Sequence, residues 1–110
     1  MQRTHDVLDR RSLDLHRLIA KRLREHPEKL EDVRRTLARW KVIVAPNSQP
    51  YVAEWQRLVD AGLDVALAMA VEDSERATAL RQSAPFACSV LTPRERWAFF
   101  KQWSDDHATS

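Results

Sequence analysis

Thr92-Pro93-Arg94-Glu95-Arg96-Trp97-Ala98-Phe99-Phe100-Lys101-Gln102-Trp103 is the stretch whose reading decides the fold. A Thr at the N-cap, a Pro in the first turn and a Glu three residues after the cap make a capping box, so a helix starts at Pro93 and carries the aromatics. Trp97 and Phe100 are expected to pack inward. Phe99 and Trp103 cannot share one narrow face with both of them, so at least one aromatic should be exposed.

Upstream, the same helical grammar repeats. Ser12 is a candidate N-cap for a helix through about Glu25, with Leu15, Leu18, Ile19, Arg22 and Leu23 at helical spacing, and His26-Pro27 stops it. Pro27 suits the first turn of a second helix, in which Glu28, Glu31 and Asp32 complement the positive end and Leu30, Val33, Leu37 and Trp40 form an apolar stripe. These two helices read as an antiparallel hairpin. Val42-Ile43-Val44 lacks a second β-rich run to pair with and reads as the frayed end of the second helix, packing inward.

Ala45 to Gln49 is the clearest loop. Pro50 then opens a third helix with Val52, Trp55, Leu58 and Val59 on one side, ending near Gly62, the chain's single glycine. A fourth helix, Leu63 to about Glu72, is apolar nearly all round and is expected to be the central buried one. Asp73 or Ser74 can cap a short fifth helix containing Ala77, Ala79 and Leu80, and Ser83 to Leu91 reads as an ordered loop. The expected fold class is all-α: a compact bundle of five to six short helices, with an N-terminal helical hairpin and a C-terminal aromatic helix.

One glycine and five prolines leave little for the hairpins and phosphate loops that consume glycine, which again favours helices. At 110 residues, 44% hydrophobic and 31% charged, the chain suits a single helical domain over 1–110, with 1–11 and 105–110 frayed. The longest apolar run, Val65 to Val71, is far short of the ~20 residues a membrane span needs. The N-terminus enters a charged stretch instead of an apolar signal core, and the single Cys88 suits a reducing compartment, so the expected location is cytoplasmic.

Charge divides unevenly. Residues 1–45 hold twelve Lys/Arg against seven Asp/Glu, and the remainder holds six against nine. Arg17, Lys21 and Arg24 on the first helix, with Arg34, Arg35 and Arg39 on the second, lie off the apolar stripes and are the candidate partner-binding residues, joined by Arg94, Phe99 and Trp103 of the last helix. Such a basic surface could contact phosphates or an acidic protein, or be a solvated face. The His26-Pro27 junction lacks the glycine turn of a helix-turn-helix, which ranks a nucleic-acid-binding regulator second.

Arg11-Ser12-Leu13-Asp14-Leu15-His16 has the Arg-x4-His spacing of HEPN ribonucleases, in which imidazole and guanidinium act on an RNA backbone. In that family the motif belongs to a late helix, so the ribonuclease reading ranks third. His5, His16, His26 and His107 show no i, i+4 pairing, and Cys88 reads as a buried structural thiol. No catalytic residue, metal or cofactor is expected.

Arg11-Ser12-Leu13-Asp14-Leu15-His16-Arg17, Leu37-Ala38-Arg39-Trp40, Pro50-Tyr51-Val52-Ala53-Glu54-Trp55, Glu72-Asp73-Ser74, Leu80-Arg81-Gln82-Ser83-Ala84-Pro85-Phe86 and Leu91-Thr92-Pro93-Arg94-Glu95-Arg96-Trp97 together span most of the chain. They resemble a family of small helical bacterial proteins encoded beside toxin genes, nucleotidyltransferase-like ones among them. The resemblance implies a non-catalytic antitoxin whose partner is a toxin encoded nearby, neutralised by direct binding.

Overall fold

The computed structural model describes residues 3–107, with side chains from Asp6 onward. It is all-α. Seven helices follow in chain order: α1 (Arg3–Glu25), α2 (Leu30–Ile43), α3 (Gln49–Ala61), α4 (Leu63–Ala70), α5 (Glu75–Arg81), α6 (Phe86–Val90) and α7 (Pro93–Asp106). Single 3-10 turns, Pro27–Lys29 and Pro46–Ser48, lead into α2 and α3. The count exceeds the five to six expected because Ser83–Leu91 is not a loop: it holds α6, whose five residues are too few to show a period.

Helix α1 begins at Arg3, well before Ser12. With neither Gly nor Pro between Arg3 and Glu25 nothing interrupts it, and Asp6 complements the positive end of the helix in its first turn. Ser12 is therefore mid-helix and residues 3–11 are helical instead of frayed; at the other end α7 continues through Asp106. Residues 1–2 and 108–110 of the expected frayed ends lie outside the described residues.

The expected hairpin of the first two helices is not the packing scheme. The close neighbours of α1 are α4, α5 and α6, whereas α2 packs on α3 and α6. Helix α6 thus joins both partners. Leu15, Ile19 and Leu23 of α1, Val33 and Leu37 of α2, and Val52, Trp55, Leu58 and Val59 of α3 are buried as their spacing requires. They form one apolar cluster with residues of α4, α5 and α6, against which Phe99 and Phe100 of α7 pack.

The centre of that cluster is Phe86. Its ring meets Trp55 edge-on at 5.1 Å and His16 edge-on at 6.0 Å, both within the range of favourable aromatic pairs. The Trp55 indole donates to the Leu80 carbonyl at 2.8 Å, so one side chain fills the core and satisfies the end of α5. Helix α4, expected to be the central element, buries only Ala66, Leu67 and Ala70, while Val65 stands 42% exposed. Ala66 and Ala70, small residues one turn apart, let it lie close against the core on one face while Leu67 fills the space beside them. Val42 and Ile43 also differ from expectation: both point to solvent, and only Val44 packs inward.

Local signals end the helices where chemistry demands. Gly62 closes α3 at φ 130° and ψ 162°, a region that L side chains rarely adopt. Ser74 caps α5 by accepting from the Ala77 amide, and Thr92 and Glu95 form the expected capping box. The end of α4 uses a less common device. Arg81 of α5 is buried, and its Nη1 donates to the Ala70 and Glu72 carbonyls at 3.1 and 2.7 Å, satisfying groups that a helix end leaves open. Its Nη2 donates to Thr78 Oγ1. Burial lowers the guanidinium pKa from its ordinary value, and the nearby Asp73 and Asp9 charges oppose that shift.

Two substitutions test this scheme by urea denaturation. Phe86→Ala removes the ring on which α1, α3 and α6 meet and should cost about 3–5 kcal/mol. Gly62→Ala should cost about 1–3 kcal/mol although its Cβ meets nothing within 4 Å, because the cost is conformational. A neutral Gly62→Ala would remove the backbone argument.

Candidate binding surface

The basic residues of α1 and α2 do face solvent, but most are engaged. Arg17 pairs with Asp14 at 3.1 Å and Arg35 with Asp32 at 2.9 Å, each within its own helix. Arg24 reaches Asp64 of α4 at 3.2 Å, and Arg34 reaches Asp60 of α3 at 2.9 Å, with Glu31 beside it at 3.7 Å. The acidic back half therefore lies partly against the basic front half. Exposed pairs like these contribute about 0–1 kcal/mol each, so they set register more than they stabilise. Lys21 and Arg39 are exposed and form no ion pair among the described residues.

Helix α7 rearranges the aromatic expectation. Trp103, a candidate partner contact, is buried: its indole N–H donates to Asp14 Oδ2 at 2.9 Å, and its ring stacks on His107 at 3.8 Å. Phe100 receives the Arg11 guanidinium over its ring at 4.7 Å, and Phe99 packs half-buried against Phe100. Trp97, expected inside, is 65% exposed. The helix period explains the exchange: 96, 99, 100 and 103 share the docked side, and 94, 97, 98 and 101 share the outer one.

The outer face of α7 thus carries Trp97 between Arg94, one turn before, and Lys101, one turn after. Arg94 is exposed with no ion-pair partner among the described residues, and Lys101 has only Asp105, on the next turn of the same helix, at 3.5 Å. The helix is held from beneath. Glu95 accepts from the Thr92 amide at 2.8 Å and pairs with Arg22 of α1, and these contacts, the amide first, hold its carboxyl down to about 2. Arg96 donates to the Ala87 and Leu91 carbonyls, tying α7 to the end of α6. The exposed indole stands on a helix tied to α1 and α6.

The Arg11 and His16 pair is separated by its own helix. Arg11 turns to Phe100 of α7, while His16 is 4% exposed and turns to Phe86 of α6. His16 Nδ1 lies 2.8 Å from the Ser12 carbonyl, which can only accept, so the proton sits on Nδ1. Nε2 is buried without a partner. Burial, the largest influence, and the Arg81 charge lower the imidazole pKa to about 4, against the opposing Ser12 hydrogen bond. Cys88, expected to be buried, is exposed on α6, because that short helix turns its inner side through Phe86 and Val90.

No family model, curated protein or solved structure matches this chain. Among the described residues, no helix is long and apolar enough to cross a membrane.

Among the groups with depressed pKa values, His16 and Glu95 define two windows of acid response. His16 binds its proton more weakly folded than unfolded, so its contribution is complete above about pH 6.5 and is lost as pH falls toward 4. At pH 5 the loss should be about 2 kcal/mol, and His16→Leu should flatten that part of a denaturation series against pH. The Glu95 carboxylate contribution is complete above about pH 4.5 and is lost as pH falls through about 2. Glu95→Gln should flatten only this lower window.

Proposed function

We propose that this chain is a protein-binding module, and that it serves as an antitoxin that neutralises a toxin encoded nearby by covering the toxin's active site. The observation that supports the reading is Trp97: a large aromatic, 65% exposed, on a capped helix whose underside is fixed by the Arg22–Glu95 ion pair and by hydrogen bonds. Exposed indole between two cations has the composition of an interface anchor, and a preformed helix lowers the ordering cost of binding. The partner surface is offered by Arg94, Trp97 and Lys101, with half-buried Phe99 behind them. Val42 and Ile43, 84% and 67% exposed at the end of α2, are a second apolar area that association could cover.

The engaged state of Arg17, Arg24, Arg34 and Arg35 weighs against nucleic acid, since each phosphate would compete with a carboxylate already in place. Lys21 and Arg39 are what remains for the nucleic-acid alternative.

Co-expression with the product of the neighbouring gene should relieve its growth arrest and yield a co-eluting complex. Trp97→Ala should weaken that complex by about 2 kcal/mol or more, on the order of thirtyfold in Kd, with the fold intact by circular dichroism. An unrelieved arrest without a complex defeats the antitoxin reading. Binding to DNA or RNA at low salt that Trp97→Ala spares and Lys21→Glu with Arg39→Glu abolishes would put the nucleic-acid regulator in its place.

A further inference from the structure

Away from the Trp97 face, the first half of α1 and the α4–α5 corner enclose an open cleft of about 360 Å³. Its wall includes Asp6, Asp9 and Arg10 of α1, Asp73 before α5, and Thr78 and Arg81 of α5. The spacing from Asp6 through Asp9 and Arg10 keeps these side chains on one face of α1, pointing toward α5. At the inner end Arg81 is only 5% exposed, and its Nε has no hydrogen-bond partner although its Nη atoms are engaged. A second hollow, reaching toward Ser12, shares Asp9, Thr78 and Arg81 with the first. Arg81 lines the cleft and has no ion-pair partner among the described residues, its Nη atoms donating only to carbonyls and a hydroxyl, so its positive charge is left for an anion at this end.

The outer end has the opposite character. Asp6, Asp9 and Asp73 line this cleft and also an adjoining hollow that Glu75 borders, and none of the four makes an ion pair or hydrogen bond among the described residues, although most other carboxylates are engaged. They do not form a metal-ligand set within the described residues. A purely cationic ligand would be opposed by Arg10 and by Arg81 at the inner end, and a purely anionic one by the carboxylates Asp6, Asp9 and Asp73. The two ends together suit one molecule bearing both charges, and the volume lies near the small end of ligand pockets.

We propose that this cleft binds a small zwitterion of dipeptide size, its carboxylate directed to Arg81 and Arg10 and its ammonium group held among Asp6, Asp9 and Asp73. Thr78 on the wall supplies a hydrogen-bonding group for the polar middle of such a ligand, with Gln82 in the adjoining hollows. The site is independent of the α7 surface and of the antitoxin reading.

Three probes of one skeleton separate the charge requirements: alanyl-alanine, its N-acetyl derivative, which keeps only the anion, and its C-terminal amide, which keeps only the cation. Amide NMR titration of the full chain at constant ionic strength should show saturable shifts at Asp9, Thr78 and Arg81 with alanyl-alanine. Each blocked analogue should bind about tenfold or more weakly, the worth of one charge-assisted hydrogen bond. Asp9→Asn and Arg10→Gln, neither of which removes a hydrogen bond or ion pair among the described residues, should each weaken alanyl-alanine by a similar factor; Lys101→Gln, on the other surface, should not. Absence of saturable shifts, equal binding of all three probes, or unchanged binding in both cleft variants would overturn the proposal.

Discussion

The edge-on contact of Phe86 with Trp55 is the constraint on which the rest of the bundle depends. It places a five-residue helix, too short to be stable alone, at the point where α1, α2 and α3 converge. Packing creates α6. From there the consequences spread outward: Trp55 reaches the Leu80 carbonyl and positions α5, and the edge of Phe86 shapes the pocket that keeps His16 neutral. Arg81, on the last turn of α5, then closes α4 by donating to its terminal carbonyls.

Charge has a different role from the one its distribution along the chain suggests. The basic front half and the acidic back half meet in internal contacts, Arg24 with Asp64, Arg34 with Asp60 and Arg22 with Glu95, each joining α1 or α2 to a later helix. A linear sum of charge cannot separate a surface held for a partner from one already occupied. Among the described residues, Lys21 and Arg39 escape this internal pairing, and so do the α7 face, where Arg94 and Lys101 flank Trp97, and the α1–α5 cleft, where Asp6, Asp9, Asp73 and Arg81 form no ion pair. The α7 face and the cleft are the surfaces proposed for binding.

Much of the fold was legible because it rests on local rules. The capping box at Thr92 and Glu95, the Ser74 cap, the Gly62 terminus and the proline-led starts of α2 and α3 depend on residues within a few positions of each other. The candidate binding surface was less legible. Arg94 and Lys101 were visible as flanking charges, but choosing between Trp97 and Trp103 requires knowing which side of α7 docks, and that is settled by Asp14, 89 positions away, accepting from the Trp103 indole. The buried Arg81 had no local sign at all, since an arginine on an amphipathic helix is ordinarily placed in water.

By itself, then, the sequence determined the all-α class, most helix starts and stops, and the inward stripes of α1, α2 and α3, because hydrogen-bond closure and helical period act over one or two turns. Only the tertiary structure decided that α6 is a helix, that α1 meets α4, α5 and α6 in place of forming a hairpin with α2, and that Trp97 is exposed while Trp103, His16 and Arg81 are buried. Those outcomes depend on which faces compete for one small core. Burial is a property of the whole packed molecule, and no window of neighbouring residues contains it.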